Sequence, residues 1–412
     1  MKWQRRYTVL AVLCCVYVLC YADRLVMASA IPFIGEEFHL SATSMGAVLS
    51  AFFMGYALMQ IPGGLLVDRF GPRVILTTSI AWWTLMTAAT GLASGLASLL
   101  GIRVLFGIGE GPYHVAASKT LALWFPRREL ARANGLHLCA SSIGATIAPL
   151  FVVAVIMLWG WRSVFFALFL PGVAAATAIW LVVRNSSTDR RQATLESPDY
   201  SGLPTSAPIS VWTSLWQTIR TPAVFWTAAC LFFTNMVGWG LMNWLPSYLL
   251  HGRGFDTGKM GLFTALTMLS GAIGYPLGGY LCDRFFSQRL QVPIILGAIG
   301  SAAFVYLATV APNGEWAVAC LSMVFLLGNM ASTAIFTLPL VVVSQRIIGS
   351  AAGIVNTAGQ LAGVVSPLLL GYVLDFTRGN YQVMLYWLVA LNVLSIFPAL
   401  FIRQTAAPAE PS

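Results

Sequence analysis

Charged residues are scarce in this sequence: Asp, Glu, Lys and Arg make up 9% of its 412 residues, where an ordinary soluble domain carries roughly 25%. So few charges cannot cover a water-facing surface. That excludes a chain of two or three soluble domains, a charge-rich disordered protein and a coiled coil. Histidine occurs four times and cysteine seven times. The cysteines (Cys14, Cys15, Cys20, Cys139, Cys230, Cys282 and Cys320) are odd in number and lie singly or paired in apolar runs. None has metal-ligand spacing, so they read as small buried hydrophobes rather than a disulfide framework or a zinc site. The chain also lacks a phosphate-binding loop, a nucleophile paired with a base and a metal-ligating cluster. The expectation is a protein that is not an enzyme and needs neither cofactor nor metal.

What the chain has is apolar length. Hydrophobic residues make up 58% of it, and a helix needs about 20 in succession to cross the hydrocarbon core. Stretches free of Asp, Glu, Lys and Arg run over 38–67, 74–102, 133–161, 163–183, 221–252, 260–282, 290–314, 316–345, 347–374 and 379–402. Two further spans carry charges: roughly 7–34, with Asp23-Arg24, and roughly 98–125, with Arg103, Glu110 and Lys119. The prediction is an all-α polytopic membrane protein with twelve transmembrane helices. A barrel would need alternating strands of about ten residues, and these runs are too long.

The formal net charge is +9, but its distribution follows topology. With both termini on one side, the loops and tails of that side hold 16 of the 23 basic residues, the opposite loops four (Arg162, Arg253, Lys259, Arg378), and the membrane three. Positive charge marks the cytoplasmic side, so both termini are expected in the cytoplasm and no nucleic-acid partner is implied. Ala28-Ser29-Ala30 imitates a signal-peptidase site, yet Asp23-Arg24 breaks the apolar region before it, so the first span is expected to be retained. Short loops suit a bacterial inner membrane.

One long polar segment, 185–220, separates six spans (1–184) from six (221–412). It is rich in Ser, Thr and Pro and reads as a cytoplasmic linker. Its end (Val211, Trp212, Leu215, Trp216, Ile219) has helical spacing, fitting either an interfacial segment or the buried start of the seventh helix. The halves share landmarks. Gly63-Gly64-Leu65-Leu66-Val67-Asp68-Arg69-Phe70 is matched by Gly278-Gly279-Tyr280-Leu281-Cys282-Asp283-Arg284-Phe285, and Ala133-Asn134-Gly135 with Pro149 by Ala351-Ala352-Gly353 with Pro367. Two six-helix halves with shared landmarks signal a repeat-built transporter, its substrate site expected between the halves near the midplane.

Gly64-x-x-x-Asp68-Arg69-x-Gly71-Pro72-Arg73 resembles the loop signature of the major facilitator superfamily, and the segment from Gly279 its degenerate second copy. Several segments resemble the anion:cation symporter family, which carries organic acids: Tyr21-Ala22-Asp23-Arg24; Arg103-Val104-Leu105-Phe106-Gly107-Ile108-Gly109-Glu110-Gly111-Pro112 with Trp124-Phe125-Pro126; Trp244-Leu245-Pro246-Ser247-Tyr248-Leu249; and Asn356-Thr357-Ala358-Gly359-Gln360-Leu361-Ala362-Gly363. The resemblance covers nearly the whole chain. It implies two pseudo-symmetric halves, transport by alternating access, and roles for Asp23, Arg24, Arg103 and Glu110 like those reached next from the residues themselves.

A charge at the centre of an isolated membrane helix costs about 2.5–3.5 kcal/mol, and the spans retain Asp23, Arg24, Arg103, Glu110 and Lys119, all in the first half. Arginine keeps its proton and needs an anionic partner or ligand, its planar fork matching a carboxylate. A buried carboxyl, by contrast, can take up a proton. The expectation is proton-coupled symport of a small organic anion, a sugar acid or another carboxylate. Asp23 and Glu110 would carry protons, Arg24 would anchor the substrate carboxylate, and Arg103 would hold the ionised Glu110. Tyr17, Tyr21, Tyr56, Gln60, Asn356 and Gln360 are candidate substrate contacts, and Asp68, Arg69, Arg73, Asp283 and Arg284 candidate gating residues. Structural alternatives stand beside these: a fixed Arg103–Glu110 ion pair, a structural partner for Asp23, a packing or gate role for Lys119, a hydrogen-bonded helix histidine rather than a proton relay at His114, polar packing of His137, and interhelical hydrogen bonds from Asn235, Asn243 and Asn329. The expected partners are the anion, protons and the lipid bilayer, with the protein a monomer. The rival readings are a proton-driven antiporter, since Gly135, Gly144 and Pro149 match part of an antiporter signature, and a solute sensor that moves nothing.

Overall fold

The computed structural model describes residues 5–183, 218, 220–286, 288–343 and 348–402. The segment expected to be a linker lies outside the described residues except for Thr218 and Arg220. Among the described residues all regular structure is helical. The first half contains α1 (Arg5–Glu37), α2 (Ala42–Leu58), α3 (Gln60–Phe70), α4 (Pro72–Gly91), α5 (Leu96–Glu110), α6 (Tyr113–Trp124), α7 (Arg127–Trp159) and α8 (Trp161–Val182). The second contains α9 (Pro222–Ser247), prolonged by a π turn (Tyr248–Gly252), then α10 (Thr257–Phe285), α11 (Gln291–Thr309), α12 (Gly314–Val342), α13 (Ile348–Phe376) and α14 (Tyr381–Phe401).

Among the described residues ten helices are long and apolar enough to cross a membrane singly; α2 and α3, bent by 46° at their junction, pass the same test together and count as an eleventh. The remaining charged span, 98–125, is broken into α5 and α6 and completes the twelve. A count of apolar residues passes over this break. The break falls at Gly111-Pro112, because Pro112 has no N–H for the Ile108 carbonyl. It therefore comes directly after Glu110. Large side chains such as Leu158 (68% exposed), Leu170 (74%) and Phe376 (78%) stand on outer faces, as a lipid-facing surface requires.

Two compact units emerge. One joins residues up to Phe38 with those from Ala51 through α8; the other joins His39–Ser50 with α9–α14. Within the first, α1 packs on α7 and α4 on α5 and α8; within the second, α9 packs on α13 and α11 on α12 and α14. These are equivalent pairs in the two halves, so the repeat in sequence is also a repeat in packing. Turns fall where the backbone needs glycine: Gly71 (φ 80°) before Pro72, and Gly160 (φ 78°) between α7 and α8, a region costly for a side chain with a Cβ.

Small residues set the helix spacing. A Cβ on Gly55 would lie 2.1 Å from the Val104 carbonyl oxygen, and one on Gly107 2.1 Å from that of Phe52. Thus α2 and α5 meet backbone to backbone, and neither neighbour can yield without moving a helix. Gly107→Ala is expected to cost about 1–3 kcal/mol, read as a lower thermal midpoint in detergent. Gly101→Ala on the same helix, where a Cβ would meet nothing within 4 Å, should change little. Equal midpoints for the two variants would contradict this packing.

Candidate functional site

The close approach of α2 and α5 creates the surroundings of Arg24. Its side chain leaves α1, is 7% exposed, and donates through Nη2 to Oε1 of Glu110, which is 1% exposed. Three rings wrap the guanidinium: its central carbon lies 4.8 Å from the centroid of Tyr21, 4.9 Å from Phe52 and 5.1 Å from Tyr56. Aromatic faces attract a cation and exclude water from it. Tyr21, Arg24, Tyr56 and Glu110, singled out from sequence, are therefore gathered at one place inside the first unit. Gln60 opens α3 after the bend at Met59, four residues beyond Tyr56.

The ion pair differs from the sequence expectation. Arg103 does not hold Glu110; Arg24 does. Arg103 and Glu110 share a face of α5 but sit seven residues apart, about 10 Å along the axis, whereas Arg24 enters from the neighbouring helix at the level of Glu110. Arg103, 3% exposed, lies instead over Phe106 (4.8 Å) and Phe52 (5.4 Å). Asp23 follows its own direction, as adjacent helix positions differ by about 100°. It is 3% exposed and accepts a hydrogen bond from Thr87 Oγ1 on α4 at 3.4 Å.

Tyr17, two turns before Arg24, carries the aromatic wall onward. Its ring lies edge-on to Tyr21 (centroids 5.1 Å apart) and stacks on His137 of α7 at 4.3 Å. Phe52, Phe106 and His137 were missed as site residues. The two phenylalanines sit in unbroken apolar runs that give no local signal. His137 shares its helix face with Asn134 and Ser141, a pattern that reads as polar packing and conceals its place beside Tyr17.

In the second unit, Asn356 and Gln360 lie one turn apart on α13, both half-buried, and Gln360 Oε1 is without a hydrogen bond. Three asparagines of this half are committed to structure. Asn235 on α9 donates to the Gly359 carbonyl (3.2 Å), Asn329 on α12 to that of Gly271 (2.9 Å), and Asn243 to Trp239 of its own helix (2.8 Å).

Of the gating candidates, Asp68 at the end of α3 accepts from Lys119 Nζ of α6 at 2.5 Å. Arg73 donates to the Trp180 carbonyl through Nε (3.0 Å) and Nη2 (2.6 Å) and stacks on that residue's ring. Arg69 lies over Phe70. Asp283 and Arg284 are exposed at the end of α10. Among the described residues no group of three or more His, Cys, Asp or Glu side chains could hold a metal ion.

A family model of the Major Facilitator Superfamily matches residues 13–367. Among curated proteins, the chain is 30% identical to a probable sulfoacetate transporter of Cupriavidus necator, over 98% of this chain and 96% of that one. It is also 30% identical to a probable L-galactonate transporter of Escherichia coli, over 88% and 81%. Among solved structures, a bacterial homologue of the human lysosomal transporter Spinster, captured inward-facing, superposes with a TM-score of 0.79 at 20% identity, covering 98% of this chain and 95% of that one. A D-xylose–proton symporter superposes at 0.78 and 16% identity, covering 98% of each. These two structural likenesses concern the fold.

Proposed function

The chain belongs to the major facilitator superfamily, and from that premise we propose that it is a proton-coupled symporter of a small organic anion. As a member of that superfamily it is a multi-pass membrane transporter and not an enzyme. The observation that carries the finer reading is the buried Arg24–Glu110 pair inside its aromatic cage. Sulfoacetate and L-galactonate, named for the two relatives, are both small carboxylates and support the substrate class. The asymmetry of basic residues supports cytoplasmic termini in a bacterial inner membrane.

The coupling follows from the cost of an unpaired buried charge. Removing one partner of a buried ion pair costs about 3–5 kcal/mol, so Arg24 requires an anion at all times. In the empty protein Glu110 supplies it. When Glu110 takes a proton, it becomes neutral and a substrate carboxylate replaces it on the guanidinium fork. The empty state and the state loaded with proton and anion then carry the same local charge. Substrate alone would crowd two anions onto one arginine, and a proton alone would strand the arginine. Both half-loaded states are disfavoured, and this ties the two movements together. Asp23, equally buried, is assigned a second protonation site, and Arg103 an electrostatic role in holding the excess of positive charge.

The test is uptake of labelled sulfoacetate and L-galactonate into proteoliposomes under an imposed pH gradient, acidic outside. Symport predicts transient accumulation above equilibrium, abolished by a protonophore. Uptake at the same rate with and without the gradient would speak for exchange.

Asp68 and Lys119 are assigned to gating. The pair is not enclosed by the protein, its side chains 73% and 34% accessible, so replacing Asp68 strands no fully buried charge. Asp68→Asn is therefore expected to slow exchange several-fold while leaving substrate affinity within about twofold and the thermal midpoint nearly unchanged. Loss of affinity at an unchanged rate would remove the gating assignment.

A further inference from the structure

His137 is 0% exposed, and neither of its ring nitrogens has a hydrogen-bond partner. A neutral imidazole offers one donor and one acceptor, and leaving both unmet in a buried position is costly. Nothing in the packing around α7 requires a histidine here. The stacking contact with Tyr17, at 4.3 Å and 21° between planes, would be made as well by phenylalanine. A second histidine lies nearby. His114 on α6, four residues past Glu110, is partly accessible, its Nδ1 is likewise unpartnered, and its ring centroid is 6.1 Å from that of Tyr17. It lies within electrostatic reach of both Arg24 and His137. The three groups are continuous with the anion site through Tyr21, since Tyr17 precedes Arg24 by two helical turns, about 10 Å.

The unmet groups ask for something specific. A second carboxylate would accept only, and would leave the acceptor nitrogen of each neutral ring unsatisfied. An alkyl chain would satisfy neither nitrogen. A hydroxyl both donates and accepts, and so matches an imidazole on either side.

We propose that His114 and His137, both beside the Tyr17 ring, form a second subsite that hydrogen-bonds hydroxyl groups of the transported acid while Arg24 takes its carboxylate. This rests on the carboxylate reading above and adds what that reading leaves open, the recognition of the rest of the molecule. The subsite lies within the first unit. It makes His137 a specificity residue: a site built to hydrogen-bond a hydroxyl rejects the analogue that lacks it, because its own polar groups are then left unpaired.

The experiment is equilibrium binding to the purified full-length protein in detergent, with D-gluconate, D-galactonate and L-galactonate as hydroxylated probes and hexanoate as the six-carbon acid without hydroxyls. The wild type should bind at least one hexonate tenfold or more tightly than hexanoate. His137→Phe, which keeps the stack on Tyr17 and removes both nitrogens, should weaken that hexonate at least tenfold and leave hexanoate within twofold. His137→Gln, which restores a donor and an acceptor, should recover most of the loss, and its binding keeps the test informative where the phenylalanine variant is unstable. Hexonate affinity unchanged in His137→Phe, or an equal loss for both acids, would overturn the subsite. Equal wild-type affinity for hexonates and hexanoate would overturn it as well and leave the carboxylate reading standing. Failure of the wild type to bind any of the four acids while it binds sulfoacetate would overturn the subsite alone; failure to bind sulfoacetate as well would overturn the carboxylate reading itself, and the subsite with it.

Discussion

Glu110→Gln is expected to abolish accumulation against a gradient while leaving binding and exchange measurable. Glutamine fills the same volume and still accepts a hydrogen bond from Arg24, but it cannot alternate between charged and neutral forms. The protein would then be held in a state resembling the protonated one. Arg24 would be without a carboxylate in the empty form and would favour an anion from either side. In proteoliposomes with an acidic exterior, the wild type should show an overshoot of labelled acid; the variant should approach a ratio of inside to outside of about one. Counterflow, which needs no net proton movement, should persist. The empty variant should also be less stable, because a buried arginine loses its charged partner, an effect of about 3–5 kcal/mol, and added substrate should restore much of it. Wild-type accumulation in this variant would remove Glu110 from the coupling step.

The second large effect is at Arg24. Arg24→Gln should reduce substrate binding by at least 100-fold, equivalent to about 2.7 kcal/mol, because the charged fork that meets the carboxylate is gone. Arg24→Lys should fall nearly as far. An ammonium keeps the charge but offers a point where the guanidinium offers a plane, both to the carboxylate and to the rings of Tyr21, Phe52 and Tyr56. The single glutamine variant also strands Glu110, which is 1% exposed. The double variant Arg24→Gln/Glu110→Gln should therefore regain thermal stability and still fail to bind substrate or catalyse counterflow, both of which Glu110→Gln alone retains. That pattern separates a functional role from a structural one: an arginine needed only for folding would return binding and counterflow along with stability. Additive losses of stability would instead show that the two residues do not act as a pair.

The twelve spans could be read from the sequence because apolar length is a one-dimensional property. A run such as 379–402 needs no partner to declare itself, and α14 occupies Tyr381–Phe401. Breaks inside spans were less visible. Gly111-Pro112 lies in plain sight after Glu110, yet an apolar count passes over a proline that interrupts a single backbone hydrogen bond. The bend at Met59 has no sequence marker of comparable strength. For the charged residues, the sequence revealed which ones occur in the membrane but not which ones meet. Arg103 and Glu110 lie on one face of one helix, so periodicity favoured that pair. Arg24 and Glu110 are brought together by the contact of α2 with α5 through Gly55 and Gly107 and by the packing of α1 beside them. No spacing along a single helix encodes such a meeting. The phenylalanines of the cage were hidden for the same reason: Phe52 differs from Phe53 only in which neighbour its face reaches.

The central claim is that one carboxylate at Arg24 enters together with a proton at Glu110. The most direct measurement is external pH in a lightly buffered suspension of proteoliposomes, with no gradient at the start, on addition of L-galactonate or sulfoacetate. The account predicts alkalinisation outside the vesicles, saturating with substrate and absent in Glu110→Gln vesicles given the same acid. Labelled acid entering wild-type vesicles with no change in external pH would contradict it.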